Sequence, residues 1–317
     1  MVTRPVLAVL GPTASGKSAL GLSLAVRYGG EIINCDSTAV YRGFDIGTDK
    51  VPVEARQGIP HHLIDIADPT EVYTAAQFAR DAARAIREIH ARGRLPIVVG
   101  GTGFYYRALT RGLFPGPGAD ADLRRRLDRV ADRRGVGRLH RMLQRADPES
   151  AVRIMPRDRK RIIRALEVFL TTGRPLSDHF SHTASPIADC EVVAIALRVP
   201  AALTAERVAR RVDEQFARGI VAEVEGLLAA GVPRDARPFG GLVYRQVMEM
   251  LGGVRDEAAT RALITQENRR YARRQLIWFR KEPNLSWFDG PGEQPEILTR
   301  VAEALAARGL RPRGESL

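Results

Sequence analysis

Residues 11–18 have the types and the spacing of a loop that binds phosphate. They read GPTASGKS and fit the pattern G-x4-G-K-S in full. In such a loop the glycines let backbone N–H groups turn toward phosphate oxygens, and the start of the following helix adds positive potential. Lys17 is expected to reach the terminal phosphate, and Ser18 to hold Mg²⁺ through its hydroxyl. The sequence therefore predicts that a phosphorylated small molecule binds to Gly11, Pro12, Thr13, Ala14, Ser15, Gly16, Lys17 and Ser18.

A single carboxylate stands where a second reactant would be activated. Asp36 follows the apolar segment Glu31–Asn34 and precedes Ser37. A carboxylate opposite the phosphate loop is placed to act as a general base for an acceptor, although a turn-forming role for Asp36 is equally open on the residues alone. Nucleotide hydrolases usually end a late strand with an aspartate that organises magnesium. Here Leu95–Val99 is followed by Gly-Gly-Thr-Gly, so the expected aspartate is absent after this strand and the sequence gives little support for a kinase.

Short apolar strands that alternate with helices are expected to position these residues. The expected strands are Pro5–Leu10, Glu31–Asn34, Leu95–Val99 and Val192–Leu197. The expected helices are Ser18–Tyr28, Ala75–Arg92, Thr204–Ala230 and Ala258–Lys281. This alternation predicts an α/β fold with a P-loop NTPase-like parallel sheet flanked by helices, whose ligands bind beyond the carboxyl ends of the strands.

An arginine-rich segment interrupts the alternation. Proline and glycine at Phe114–Gly118 mark a change in composition, and helices are predicted over Leu123–Arg145 and Asp158–Thr172. We therefore expect a catalytic core made of residues 1–117 and 191–317, with an all-helical insertion at 118–190.

The charge of the chain favours a nucleic-acid partner. The 49 basic and 37 acidic residues give a net charge of +12 and a pI of about 10.4. Cations crowd the start of the helix after Arg157, where the helix dipole disfavours them and a phosphate backbone would relieve the repulsion. The alternative is a solvated basic face paired with Asp158 and Glu167. Since nearly all of these cations are arginine, codon bias is a further explanation of the overall charge.

Other compartments and partners have little support in the sequence. No run approaches the roughly 18 apolar residues of a membrane-spanning helix, and no signal peptide is expected. Cys35 and Cys190 offer neither a disulfide framework nor the spacing of metal ligands. We expect a cytoplasmic monomer that has no membrane partner.

Taken together, the motifs resemble those of the tRNA dimethylallyltransferases, also called tRNA isopentenyltransferases. The matching stretches run in order over nearly the whole chain, and their combination is highly specific. They are GPTASGKS (11–18), DSTAVYRGFDIGTDK (36–50), PHHLIDIADPTEVYTAAQF (60–78), VGGTGFYYRAL (99–109), RALEVFLTTGRPLS (164–177), RVDEQF (211–216), YRQ (244–246) and ARRQLIWFRK (272–281).

The resemblance implies a reaction and a set of site residues. A dimethylallyl group would pass from dimethylallyl diphosphate to N6 of the adenosine 3′-adjacent to the tRNA anticodon, and diphosphate would leave with the help of Mg²⁺. Asp36 would accept an N6 proton or position the amine, and Thr102 would orient the adenine or the diphosphate. Lys17 and Arg211 would bind the departing diphosphate. The insertion would hold the anticodon stem-loop while the target base is flipped out. The implied tRNA contacts are Asp36, Ser37, Thr38, Ala39, Thr102, Arg124, Lys160, Arg161, Ile162, Ile163, Arg164, Gly240, Gly241, Tyr244 and Arg245.

One departure from the family pattern stands out. The family commonly reads Gly-Tyr-Arg where this chain has Val243-Tyr244-Arg245. A β-branched residue resists the positive φ that glycine permits, so Gly240-Gly241 is expected to supply the turn instead.

Three other functions stay open at this point. An adenylate isopentenyltransferase would prenylate a free nucleotide, but would not need an arginine-rich insertion. A small-molecule P-loop kinase would consume ATP. A non-enzymatic RNA-binding module would show salt-sensitive binding that does not depend on Lys17 or Asp36.

Overall fold

The computed structural model describes residues 4–180 and 183–313. Within them the chain forms two compact units, one made of the residues up to Thr110 and from Pro186 onward, the other of Arg111–Ser185. These boundaries lie several residues before the changes in composition at 118 and 190. The first boundary precedes the proline and glycine punctuation because a helix, Gly103–Arg111, ends just before it.

The first unit is built on six parallel strands in the order β3-β2-β4-β1-β5-β6. Their bounds are Arg4–Leu10 (β1), Gly30–Asn34 (β2), His61–His62 (β3), Leu95–Gly100 (β4), Cys190–Arg198 (β5) and Leu285–Asp289 (β6). The central strand β1 is a continuous apolar run, and its side chains from Val6 to Leu10 are at most 1% exposed. Strands covered by helices on both faces need such runs, so the predicted parallel α/β fold is confirmed.

Thirteen helices lie within the described residues. They are Lys17–Tyr28 (α1), Ala75–Ala91 (α2), Gly103–Arg111 (α3), Ala121–Arg134 (α4), Val136–Ala146 (α5), Pro148–Arg153 (α6), Arg159–Thr172 (α7), Leu176–His179 (α8), Ala201–Ala217 (α9), Ile220–Ala229 (α10), Tyr244–Leu251 (α11), Glu257–Phe279 (α12) and Pro295–Ala306 (α13). None of the helices in this part of the chain is both long and apolar enough to cross a membrane.

Two of the helices expected from the sequence are each divided in the structure. The predicted helix 123–145 is split into α4 and α5 at Gly135, whose φ is +76°. The predicted helix 204–230 is split into α9 and α10 near Gly219, whose φ is +89°. A residue with positive φ cannot continue a right-handed helix, so both single-helix predictions were wrong.

The second unit, residues 111–185, contains α4 to α8 around its own apolar core. Leu139, Leu143, Ile162, Ala165 and Val168 are fully buried there. The helices pack through apolar faces and leave their charged faces to solvent, as amphipathic helices do. This unit therefore has the core that an independent helical domain needs.

Candidate active site

The phosphate loop lies at the carboxyl edge of the sheet, between the end of β1 and the start of α1. It forms one side of a cavity of about 690 Å³. Thr13, Ala14, Gly16, Lys17 and Ser18 line the cavity, whereas the other residues predicted to bind phosphate lie buried beneath it. Those buried residues are Gly11, Pro12 and Ser15. A helix start that opens into a cavity is a ready site for an anion.

Two arginines on α9 reach this loop. Arg211 was predicted from the sequence, and its Nη1 donates to Thr13 Oγ1 at 2.9 Å. Arg207 lies one helical turn earlier and was not predicted; its Nε donates to Ala14 O at 2.7 Å. Residues four apart share one face of a helix, so the i, i+4 spacing from Arg211 was the available signal for Arg207. Both guanidinium groups line the cavity, together with Lys17.

Each arginine is also paired with a carboxylate. Arg211 Nη1 lies 3.1 Å from Asp49 Oδ2, and Arg207 forms an ion pair with Glu293. Burial raises the pKa of Asp49, although Arg211 and the hydrogen bond from Gln215 oppose that rise. Three cations and two carboxylates thus meet at the phosphate end of the cavity.

Lys17 stands at the base of this charged cluster. Its Nζ donates to the carbonyl of Pro12 at 3.3 Å. Burial, and then the nearby charge of Arg211, lower the pKa of Lys17 to about 8. An ammonium held beside another cation gains the most from a bound anion. Lys17 is therefore placed to stabilise negative charge in the cavity.

Asp36 lines the same cavity from the loop that follows β2. Its Oδ1 accepts hydrogen bonds from the backbone N–H and the hydroxyl of Thr38, at 2.9 and 2.6 Å. Among the described residues, Oδ2 has no hydrogen-bond partner, so one carboxylate oxygen is available to a ligand. Tyr271 on α12 lines the same cavity, and burial together with the charge of Asp36 raises the pKa of its phenol. A partly sheltered, oriented carboxylate can accept a proton from a bound substrate.

Thr102 supports the Asp36 loop. Its hydroxyl accepts a hydrogen bond from the N–H of Ser37 at 3.1 Å, and its own N–H donates to Cys35 O at 3.2 Å. Thr102 does not line the cavity, whereas Ser37, Thr38 and Ala39 do. In this structure the hydroxyl helps to hold the loop that carries Asp36, and its implied role toward the adenine or the diphosphate stays a prediction.

One face of α12 closes the cavity. Asn268, Tyr271, Arg274 and Gln275 line it, and none of them was among the site residues predicted from the sequence. Gln275 links two loops, because its Oε1 accepts from Thr13 N at 2.8 Å and its Nε2 donates to Gly101 O at 2.9 Å. This buried amide fixes the distance between the phosphate loop and the glycine-rich loop after β4.

The late motif contains a backbone conformation that the sequence argued against. Val243 has φ +74° and ψ −62° at the start of α11, while neither Gly240 nor Gly241 has a positive φ. The expectation that the glycines supply the turn was therefore wrong. Gly241 and Val243 line the cavity. Tyr244 is 1% exposed, and its hydroxyl donates to Glu223 Oε1 at 2.6 Å.

Gly240 and Arg245 lie elsewhere on the first unit. They line a separate shallow groove and not the main cavity. Arg245 forms an ion pair with Glu267 at 2.6 Å. Of the four residues of the late motif that were implied to contact tRNA, only Gly241 lies in the cavity, and Tyr244 is too buried for direct contact.

In the helical unit, two arginines that were implied to contact tRNA are engaged internally. Glu167 is fully buried and accepts from Arg124 at 2.8 Å through both carboxylate oxygens, and from Arg164 at 2.6 Å. Burial by itself would raise the pKa of Glu167, but the hydrogen bonds from Arg124 and Arg164 hold it below its ordinary value. These arginines therefore stabilise the unit, as expected from the alternative in which the basic face is paired with acidic residues that include Glu167.

Other cations of the helical unit are free to meet a polyanion. Ile162 and Ile163 are buried in the core, so their side chains cannot contact tRNA, whereas Lys160 and Arg161 are exposed. Residues 111–185 carry 17 basic and 9 acidic side chains, a net charge of +8 out of the +12 of the whole chain. Within the described residues, the exposed cations that contact no carboxylate are Arg126, Arg129, Arg133, Arg134, Arg138, Arg141, Arg145, Arg157, Lys160 and Arg174.

The residues of the cavity suit a Mg²⁺ ion that takes most of its ligands from a bound phosphate compound and from water. The side chain of Ser18 is exposed and lines the cavity, so its hydroxyl can serve as one ligand. Within residues 4–180 and 183–313, no group of three or more His, Cys, Asp or Glu side chains could hold a metal ion by itself. Magnesium commonly keeps waters and phosphate oxygens alongside one or two protein ligands, which suits this arrangement.

The fold and the site define a class of protein. A parallel sheet whose first strand leads through a GPTASGKS loop into a helix defines a P-loop α/β protein. Across one cavity, the loop and three cations face an oriented carboxylate. This is the arrangement of an enzyme that brings an acceptor molecule to a phosphorylated donor.

Comparison with known proteins places the chain within that class. The family model described as IPP transferase matches residues 39–282. A tRNA dimethylallyltransferase of Geobacter metallireducens is 48% identical over 295 residues, which are 92% of this chain and 95% of that protein. A tRNA dimethylallyltransferase of Thermomicrobium roseum is 46% identical over 306 residues, which are 95% of this chain and 92% of that protein. The chain belongs to the tRNA dimethylallyltransferase family.

Solved structures agree with this assignment. The full-length tRNA isopentenylpyrophosphate transferase from Bacillus halodurans is 37% identical, with a TM-score of 0.70 over 97% of this chain and 98% of that one. A eukaryotic dimethylallyltransferase acting on tRNA is 25% identical, with a TM-score of 0.78 over 98% of this chain and 81% of that one.

Proposed function

We propose that this enzyme transfers the dimethylallyl group of dimethylallyl diphosphate to N6 of the adenosine 3′-adjacent to the anticodon in tRNA. The observation that carries the proposal is that Asp36 and Lys17 line one cavity of about 690 Å³, a volume in the range of small-molecule sites. A donor diphosphate on the loop side and an adenine on the carboxylate side would meet between them.

The chemistry follows from the charges at the two ends of the cavity. The N6 lone pair forms a bond to the allylic carbon while the bond from that carbon to the diphosphate oxygen breaks. Asp36 accepts the N6 proton through its available Oδ2, or holds the amine in line. Lys17 and Arg211 stabilise the negative charge that develops on the leaving diphosphate. Mg²⁺ bound to the diphosphate and to Ser18 would neutralise part of that charge.

The helical unit supports tRNA as the acceptor. Its net charge of +8 and its exposed arginines suit the phosphate backbone of an anticodon stem-loop. A flipped base is the expected substrate form, because an amine inside a stacked helix cannot enter a cavity. Both cysteines are free thiols, which suits the cytoplasm.

The test measures transfer directly. The protein is incubated with Mg²⁺, labelled dimethylallyl diphosphate and an anticodon stem-loop that carries adenosine 3′-adjacent to the anticodon. We expect label in the RNA and an equal amount of free diphosphate, with no need for ATP. In parallel reactions to which AMP or ATP is added, label in free AMP would indicate an adenylate isopentenyltransferase, and consumption of ATP would indicate a kinase.

A charge-removing variant tests the proposed role of Asp36. Asp36→Asn keeps the acceptor for Thr38 but loses the negative charge, so single-turnover transfer should slow by about 10²–10³-fold. Its RNA affinity should stay within about tenfold. Glu54→Gln is the matched control, because Glu54 is exposed and lies in the short turn Val53–Arg56. Near-normal transfer by Asp36→Asn would show that Asp36 is not the base.

A further inference from the structure

The phosphate end of the cavity is closer to charge balance than its three cations suggest. Arg207 contacts the phosphate loop through its Nε and a carboxylate through its Nη1, and its side chain is only 15% exposed. Arg211 repeats this arrangement with Thr13 and Asp49. The charge of each arginine that faces the diphosphate site is therefore already partly neutralised by a carboxylate.

Glu293, the partner of Arg207, comes from a distant segment that packs against the phosphate loop. It lies between β6 and α13, where Gly292 N donates to Ser15 O at 2.9 Å. A side chain at Gly16 would collide with the Glu293 carboxylate, which shows how closely that carboxylate approaches the loop. Glu293 also lines the cavity. A negative charge thus stands beside the loop that would hold the diphosphate.

Glu293 carries that charge at neutral pH. Burial alone would raise the pKa of Glu293, but the hydrogen bonds from Arg207 and from the backbone, together with the charges of Arg207 and Arg210, bring the pKa below its ordinary value. A carboxylate in this place has two effects on a bound diphosphate, since it repels the anion and neutralises part of the charge on Arg207. Both effects weaken the binding of a diphosphate product.

We propose that Glu293 is a counter-charge that keeps the affinity for diphosphate low enough for the product to leave after each transfer. The inference rests on the proposed function, in which diphosphate occupies the phosphate loop. A loop with three uncompensated cations would hold the leaving group tightly and trap the enzyme with its product. Glu293 also orients Arg207, so the arginine stays ready to stabilise charge in the transition state.

Direct binding of inorganic diphosphate with Mg²⁺, measured by calorimetry on the full chain, tests the charge effect without tRNA. Glu293→Gln keeps the shape and a hydrogen-bond acceptor for Arg207, so the site should stay folded while the affinity for diphosphate rises about tenfold. Glu293→Asp keeps the charge and should bind within about twofold of the parent. Glu303→Gln removes an exposed carboxylate on α13 and should change nothing.

Kinetics then test the link to product release. Glu293→Gln should transfer at least as fast as the parent in a single turnover, because the negative charge that develops on the diphosphate meets one carboxylate fewer. Its steady-state rate should be lower, so that labelled RNA appears in a burst. Unchanged or weaker diphosphate binding by this variant would overturn the inference alone. Tighter binding without a slower steady state would also overturn it. If the parent protein bound no diphosphate, the proposed function would fail together with the inference.

Discussion

Substitutions at Val243 would test whether the start of α11 is strained. Its φ of +74° and ψ of −62° lie where L side chains rarely occur, and its side chain is 2% exposed. Residues held in such conformations cost of the order of 1–3 kcal/mol each. Glycine has no Cβ and adopts positive φ without that cost. The chain therefore keeps a valine here against its backbone preference.

Comparing alanine and glycine at this position separates strain from packing. Both Val243→Ala and Val243→Gly lose the two methyl groups of the buried valine, at about 1.6 kcal/mol for two carbons. Alanine keeps most of the strain, of about 2 kcal/mol. Glycine relieves it, but loses about 0.8 kcal/mol for the remaining carbon and up to about 1 kcal/mol in chain entropy. Glycine should therefore be more stable than alanine, by about 0.2 kcal/mol or more.

Val247, one turn further along α11, provides the matched control. It is fully buried and lies within the regular helix. There Gly should be less stable than Ala by about 1.8 kcal/mol, because of helix propensity (about 1 kcal/mol) and the loss of one more buried carbon (about 0.8 kcal/mol). Thermal unfolding of the four variants, at about 2–4 °C per kcal/mol, measures the two differences. If Val243→Gly unfolded at a lower temperature than Val243→Ala, by the same margin that separates the two Val247 variants, the strain argument would be refuted.

Two further predictions concern charge in the cavity and on the helical unit. Because burial and Arg211 lower the pKa of Lys17 to about 8, its proton is lost as the pH rises through about 8. The kcat/KM for dimethylallyl diphosphate should then fall, while kcat changes less because bound diphosphate favours the charged amine; a flat profile from pH 7 to 9.5 would contradict this role. Arg164→Ala should destabilise the helical unit by about 1–3 kcal/mol, since it leaves the buried Glu167 partly unpaired. Lys160→Ala should instead leave the melting temperature unchanged, weaken RNA binding and reduce the slope of its salt dependence by about 1. If Lys160→Ala lowered the melting temperature and left RNA binding unchanged, Lys160 would be a solvated surface residue that does not contact RNA.

Patterns within short segments were predictable from the sequence. The phosphate loop needs two glycines at a fixed spacing, followed by Lys and Ser, between a strand and a helix, and GPTASGKS at 11–18 supplies them. The parallel sheet followed from short apolar strands that alternate with helices. Helix breaks at Gly135 and Gly219 were missed, because glycine inside a helical pattern does not by itself reveal a positive φ.

The same limit applies to single residues of the site. Asp36 and Arg211 could be proposed from the sequence, since one follows a strand end and the other belongs to a family motif. Thr102 could be named as well, but only the folded loops show that its hydroxyl accepts a hydrogen bond from Ser37 N–H.

What the sequence determined by itself was the local chemistry: a loop for phosphate, a carboxylate after the second strand and an excess of arginine. Tertiary structure decided which charges are free and which are already partnered. Glu293 forms an ion pair with Arg207, which is 86 residues away in the chain, and Glu167 forms one with Arg124, which is 43 residues away. Such pairs depend on how distant segments pack, because an ion pair needs only a few ångströms in space and no fixed spacing along the chain.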